Sequence, residues 1–485
     1  MTVRVALRSL VARPVRSAVL ACGFGFGIGV MAGLLGIGEV ILEQARSPAL
    51  EGGGDVVVAG ASGGVTSARF VMSSVLGAPP LSERVIAASP VRSARLYLVE
   101  GDRITAVDAR GGIPSLEKAL GDPEVSGLDV WSDAPSDAPW SAPDPASVLR
   151  AMDRFHPIPV LPEEAGPWVG SWAEWLYFNG SAGDVKLYLS LIVGPEDEPG
   201  TRRARVRLQL DRGGRRADYS ATATLPAAEI LAGAPDIQVG DTRVRLDGLV
   251  YRIALSLFRE TGPPGARAPD LTGEITLEAT PGRSLPPLAM FGARGWVSGY
   301  VVPVLSGALS GTLRVEGETV QLAGGTGYHD HNWGFWEGVT WQWGQVAGDG
   351  LSVVYGRIRP PADVADPERV PGFMMVLGPE GPVGFSADVT IEEDNDPVRG
   401  HPRRIAVTAA GREIDIRMTI AIDDAAVRTR IGEGRGAVDF LQMRGTYRVT
   451  GRVGDRDVDF SAAGAAETFR GGPETVAPAA PGAAW

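Results

Sequence analysis

Apolar and polar positions begin to alternate strictly just after Trp168. Leu187, Leu189, Leu191 and Val193 alternate with Lys186, Tyr188 and Ser190, the period-two pattern of a half-buried strand. Arg205-Val206-Arg207-Leu208-Gln209-Leu210 repeats it, followed by a turn over 211–214 and a further alternating run through Tyr219-Ser220-Ala221-Thr222-Ala223. Turn signals at Gly317, Gly348-Asp349-Gly350, Gly411 and Gly454-Asp455 cut the rest of the chain into similar pieces. Many short strands with few helical windows predict antiparallel barrels or sandwiches, and roughly 300 residues exceed one such unit. A division near residue 312 gives two β units in tandem, 166–312 and 313–470.

Upstream the pattern is different. Val56-Val57-Val58 and Ala94-Arg95-Leu96-Tyr97-Leu98-Val99, with a Gly101-Asp102 turn, predict a small α+β element within 46–120. From Gly121 to Pro167 there are nine prolines, so 121–165 reads as an extended linker with one short helix over 147–153. The tail, 471–485, is rich in Pro and Ala and reads as disordered. Ser17 to Gly38 is uncharged and long enough for one membrane-spanning helix. Arg4, Arg8, Arg13 and Arg16 precede it, which predicts a single-pass anchor over 1–45 with a cytoplasmic N-terminus and the bulk outside the inner membrane, in the periplasm. A cleaved signal peptide is the competing reading, but no small-x-small cleavage site follows the apolar run.

Composition narrows the function classes. Lys+Arg number 46 against 58 Asp+Glu, a net charge of −12, which excludes nucleic acid as a partner because such binding needs a net basic face. The single cysteine, Cys22, excludes a disulfide scaffold and any multi-thiolate zinc or iron–sulfur site.

The chemistry concentrates in a few places. Trp168, Trp172 and Trp175 open the first β unit, Trp333, Trp336, Trp341 and Trp343 open the second, and Trp296 lies between. Gly327-Tyr328-His329-Asp330-His331-Asn332-Trp333-Gly334 holds two of the four histidines. On a strand His329, His331 and Trp333 share one face, and Asp330 and Asn332 the other. Three readings are open: a metal pair completed by Glu337 or His401, imidazoles bonding backbone carbonyls in a purely structural role, or an acid/base site walled by aromatics.

These residues carry a resemblance. Glu174-Trp175-Leu176-Tyr177-Phe178-Asn179-Gly180, the His329–Trp333 motif, Val301-Val302-Pro303-Val304, Gly311-Thr312-Leu313 and Trp341-Gln342-Trp343-Gly344 resemble the carotenoid 1,2-hydratase (hydroxyneurosporene synthase) family over roughly residues 155 to 470. That family lies within a wider group of two-domain lipocalin-like proteins. The resemblance implies a mainly β fold, two lipocalin-like antiparallel β-barrels in tandem, preceded here by one transmembrane helix and the small α+β and linker region. It implies addition of water to an isolated C=C of an acyclic carotenoid or similar long apolar isoprenoid, with no cofactor and no metal. It places His331, Trp333 and Tyr355 in the catalytic site, with Asp330 or Glu337 as proton donor. Trp175, Tyr177, Tyr328, His329, Trp341 and Trp343 would line the ligand. One departure matters: where the family has an acid two places after the tyrosine, this chain has Arg357, which cannot protonate an alkene.

The first hundred residues resemble the opening helix of macrolide-exporter-type ABC permeases, through Leu7-Arg8-Ser9-Leu10, Arg13-Pro14-Val15-Arg16 and Gly54-Asp55-Val56-Val57-Val58. That likeness implies ABC transporter components as partners. Two functions follow: a membrane-anchored hydratase-like enzyme, or a non-catalytic lipocalin-like carrier of a lipid or other apolar ligand serving an ABC exporter.

Overall fold

A computed structural model of the chain describes residues 15, 54–58, 67–77, 81–101, 103–122, 125, 130–141, 144–260, 268–379, 381–398, 400–423, 427–431 and 438–471. The predicted membrane anchor with Cys22, and the tail beyond residue 471, lie outside them. Among the described residues no helix is long and apolar enough to cross a membrane.

The chain divides into two compact units, Met1–Gly64 with Ala87–Ala138, and Val65–Ile86 with Pro139–Trp485. In the first unit β1 (Arg92–Glu100) and β2 (Arg103–Gly111) form one antiparallel hairpin, and every β1 residue is exposed. A short helix, Pro114–Ala119, follows, and Arg110 bridges the buried carboxylates Glu117 and Asp122.

The second unit is mainly β, two barrel-like sheets in tandem. The first contains β3 (Trp172–Ala182), β4 (Val185–Glu198), β5 (Thr201–Arg212), β6 (Arg215–Pro226), β7 (Ile237–Val239), β8 (Thr242–Asp247), β9 (Val250–Arg259), β10 (Leu271–Glu278), β11 (Leu285–Phe291), β12 (Val297–Val315) and β13 (Glu318–Phe335). The strands β3 to β6 follow one another as a meander, β9 joins β6 to β10, and β12 joins β10 to β13. Pairing of β13 back onto β3 closes an eight-stranded antiparallel ring, with the β7–β8 hairpin beside β9 and β11 beside β12. Alternation drives this closure: in β8 burial runs strictly inside–outside, and Leu189, Leu191, Val206, Leu208 and Ile253 fill the lumen. Each such side chain contributes about 1.5–3 kcal/mol. Pro303 sits where the β12–β13 register shifts, the place a central strand can take a residue without an N–H.

The second sheet contains β14 (Thr340–Gly348), β15 (Leu351–Arg359), β16 (Phe373–Gly378), β17 (Gly381–Ser386), β18 (Asp388–Asn395), β19 (Pro402–Ala410), β20 (Ile414–Ile422), β21 (Val427–Ile431), β22 (Val438–Val453) and β23 (Arg456–Gly471). It runs β17-β16-β15-β14-β23-β22-β20-β19-β18, with β21 on β22, and β17 and β18 form its two ends. Asp349 and Gly350, at φ 52° and 73°, make the left-handed turn that β14 and β15 need for a tight hairpin.

Two expectations change. A boundary at 312/313 falls inside β12, and the His/Trp motif belongs to the first sheet, because β13 is the strand that closes the first ring. The chain crosses to the second sheet only after Phe335. The short helix expected over 147–153 in the 121–165 segment is present as α2 (Pro145–Met152), and beyond that expectation it packs on α1 (Ala68–Gly77) and buries Val148, Leu149 and Met152. Its proline is compatible with this, since Pro145 occupies the first helical turn and Asp144 caps the helix through the Ala146 and Ser147 amides.

Candidate active site

The strand β13 presents two different surfaces, and this divides the predicted site. Tyr177 lies opposite Asp330, Leu176 opposite His331 and Phe178 opposite His329 in the β3–β13 register. Cross-strand partners share a face. Glu174, Leu176, Phe178, His329, His331 and Trp333 therefore face one way, and Trp175, Tyr177, Asn179, Tyr328, Asp330 and Asn332 the other.

On the first face lies a network of buried charges. His329 Nε2 is 2.9 Å from Asp153 Oδ2 and its Nδ1 2.9 Å from the Tyr177 carbonyl. The Tyr251 hydroxyl donates to the same Asp153 oxygen, and Phe178 stacks on the His329 ring at 4.0 Å. His331 Nδ1 donates to the Met152 carbonyl at 3.1 Å and Nε2 to Glu174 Oε1 at 2.9 Å. The His156 backbone N–H donates to both Glu174 oxygens, its ring Nδ1 lies 2.7 Å from Oε1, and its ring stacks on Trp333 at 4.3 Å. Asp153, Glu174, His329 and His331 are all inaccessible to solvent.

Burial alone would lower the His331 pKa, but Asp153 and Glu174 together raise it to about 9, so the ring is an imidazolium. Burial likewise works against the two carboxylates, yet His329 and His331 hold Asp153 below its ordinary range, and His156 and His331 do the same for Glu174. His156, Glu174 and His331 are the one group of three metal-type donors brought within 4.8 Å among the described residues. Their donor atoms already bond one another. Neither Glu337, in the turn before β14, nor His401, beside β19 with Nδ1 on the Pro402 carbonyl, joins His329 and His331.

The opposite face is aromatic and holds carboxyls of another kind. It packs against the second sheet, where Trp343 lies opposite Glu467 and Glu467 opposite Gln442. Tyr177, Tyr188, Tyr300, Tyr328, Trp341 and Trp343 form one buried cluster drawn from both sheets. A hydrogen-bonded chain runs through it: Trp343 Nε1 donates to the Tyr300 hydroxyl at 3.0 Å, the Tyr300 and Tyr328 hydroxyls are 2.7 Å apart, and Tyr328 donates to Asp330 Oδ2 at 2.8 Å. Asn332 donates to Asp330 Oδ1 at 2.7 Å. Burial and then the nearby Glu467 carboxyl push Asp330 well above the carboxylate range, against the hydrogen bonds from Tyr328 and Asn332. Glu467, half-buried, hydrogen-bonds with Tyr177 and Gln442, yet burial still raises it to about 7. Gln442 Nε2 joins the Tyr177 hydroxyl at 3.1 Å to Glu467 Oε1 at 3.4 Å. Trp175, Ile358, Phe373 and Phe469 form a half-buried apolar rim around this enclosure.

The catalytic set expected from the sequence is thus dispersed. Asp330 stands in the aromatic enclosure with Tyr177, Tyr328, Trp341 and Trp343, and with Trp175 at its rim. His329, His331 and Trp333 back onto it from the other side of β13. Tyr355 is in the core of the second barrel, packed on Gly344 and hydrogen-bonded to Tyr447. Arg357 is two residues further along β15, with Nη2 3.7 Å from Glu368 Oε2. Alternation is the physical reason, because neighbours on a strand point apart. Sequence reasoning missed Asp153, Glu174 and His156 as partners of the histidines, and Glu467 as partner of Asp330. Glu174 stood beside Trp175 in a quoted motif, which was the available signal, whereas nothing local marked Glu467.

No family model and no curated protein matches the chain. Among solved structures it is similar to a provisional AttH from Nitrosomonas europaea, with 17% identity and a TM-score of 0.41 over 64% of this chain and 98% of that one. CghA gives 12% identity and a TM-score of 0.40 over 66% and 96%, and CghA with Sch210972 gives 12% and 0.40 over 68% and 96%. Likenesses of this size say nothing of chemistry or substrate, which rest on the site alone.

Proposed function

We propose that this chain is an acid catalyst of the hydratase type, adding water to an isolated C=C of a long apolar isoprenoid such as an acyclic carotenoid. One observation carries the reading: Asp330 is a carboxyl with no cationic hydrogen-bond partner, enclosed by tyrosines and tryptophans between two barrels. An unactivated alkene is attacked only after protonation to a tertiary carbocation. That step needs an acid kept neutral in an apolar site, which burial provides for Asp330. The cation then needs aromatic faces, each worth up to about 2 kcal/mol when desolvated, and Trp341, Trp343 and Tyr300 supply them. In this reading a long chain enters at the Trp175–Phe469 rim, and His331 and Trp333 fix β13 from behind. The chain works at the inner membrane, anchored by its N-terminal helix with its barrels outside, and ABC transporter components are its candidate partners.

The position of Arg357 and Tyr355, away from Asp330, favours a second reading: a carrier that holds the apolar molecule without turning it over. Full-length protein incubated with acyclic carotenoids decides between them. Hydroxylated product from the wild type, reduced about 10²–10⁴-fold in Asp330→Asn, supports the enzyme. Tight retention of the carotenoid with no product in either protein establishes the carrier and sinks the hydratase.

A further inference from the structure

Hydration moves two protons, one onto carbon and one off the attacking water. Asp330 can deliver the first, but once ionised it sits in a buried site with only Tyr328 and Asn332 bonded to it. A second group must take the other proton, and it must sit across the substrate from Asp330.

We propose that Glu467 is this base, so that each barrel contributes one carboxyl and the double bond lies between them. The inference rests on the reading above that Asp330 protonates an alkene. Glu467 is on β23 of the second sheet, directly opposite Trp343, whose indole joins the Tyr300–Tyr328–Asp330 chain. Across the interface it meets Tyr177 of β3, and Tyr177 lies opposite Asp330 in the β3–β13 register. Gln442 of β22 reaches both Glu467 and Tyr177 and fixes the pair. Glu467 is less deeply buried than Asp330.

The step balances. The Asp330 O–H bond breaks and its proton forms a C–H bond with the π electrons, leaving a tertiary cation. A water lone pair forms the C–O bond, the water O–H bond breaks, and that proton passes to a Glu467 oxygen. Loss of that proton from Glu467 and return of one to Asp330 restores the start, with one water added. Two carboxyls in one enclosure separate their proton affinities, which leaves the more buried one protonated and the more exposed one ionised near neutrality. The groups facing Glu467 are Asp330 of β13, Tyr177 of β3, Tyr300 of β12, Trp343 of β14 and Gln442 of β22, none of them cationic.

The test uses full-length protein and an acyclic carotenoid in D2O, with wild type, Asp330→Asn and Glu467→Gln compared. Wild type should give hydrated product carrying one carbon-bound deuterium, at a rate that rises with pH through about 7 as Glu467 ionises. Glu467→Gln should lose hydration about 100-fold or more yet still exchange deuterium into recovered alkene, because Asp330 remains. Asp330→Asn should lose both. Hydration by Glu467→Gln within about threefold of wild type, or loss of exchange along with hydration in a folded variant, overturns the inference while leaving Asp330 as acid. Wild type showing neither product nor exchange instead overturns the reading beneath it. Should Glu467→Gln fail to fold, Glu467→Asp replaces it: a displaced acidic limb supports the base, and an unmoved one refutes it.

Discussion

At His331 two opposite requirements meet: the ring is fully buried, and both its nitrogens face acceptors. Burying a cation is unfavourable unless it is paired, and here Asp153 and Glu174 flank it. Once such a pair is formed, removing one member leaves the other charge without compensation. His331→Ala should therefore destabilise the protein by about 3–5 kcal/mol, whereas Asp394→Ala, which breaks the exposed Arg403–Asp394 pair, should cost far less. Chemical denaturation of the two variants measures this, and a loss under about 1 kcal/mol at His331 would show the network to be dispensable. Asp330, its neighbour in sequence, lies in the opposite environment, with aromatic rings and a second carboxyl for company. The period-two pattern already separated these residues in the sequence. What it could not provide was their partners, because Asp153 and Glu174 are 176 and 157 residues from the histidines they bond.

At the scale of elements, α2 shows how a helix begins inside a proline-rich stretch, where a short helix over 147–153 was expected. Nine prolines between residues 121 and 167 look like an unfolded spacer, yet a proline in the first turn and an aspartate before it are also how a helix begins. This helix is short, so isolated it would not form, and its stability comes from Val148, Leu149 and Met152 packing inward. Asp144 accepts from the Ala146 and Ser147 amides at 3.3 and 3.1 Å. Asp144→Ala should lower stability by about 1 kcal/mol, while Asp144→Asn should lose little, since asparagine also caps. Thermal unfolding of the pair checks it, and equal losses would mean that the charge matters and the cap does not. Strands were legible too: the alternation in β4 and β5 appears in the structure as largely alternating burial. The boundary between sheets was not legible, because β12 and β13 look like any other hairpin until β13 pairs with β3.

In the second compact unit, the segment 145–156 completes the first barrel. Its Met152 carbonyl, Asp153 carboxylate, Phe155 ring and His156 backbone all reach β3 or β13 residues, and Arg150 pairs with Asp236. A fragment beginning after it would expose Leu149 contacts in the barrel core and, more seriously, take Asp153 from His329 and His331 and His156 from Glu174, all of them buried. The first β unit was expected to begin at residue 166, within a resemblance running from about 155, but alternation marks only strands, and the charges that seal this end come from outside them. Two fragments separate these views. Residues 65–471 retain α1, α2 and the network and should unfold in one cooperative transition. Residues 157–471 should melt at a much lower temperature or fail to fold, since an uncompensated buried charge costs about 3–5 kcal/mol, a large share of a typical domain's stability. Adding His329→Phe to the shorter fragment should recover part of the loss, because the phenyl ring needs no partner where Asp153 is missing. Equal melting of the two unmodified fragments would show that the network does not hold the barrel closed.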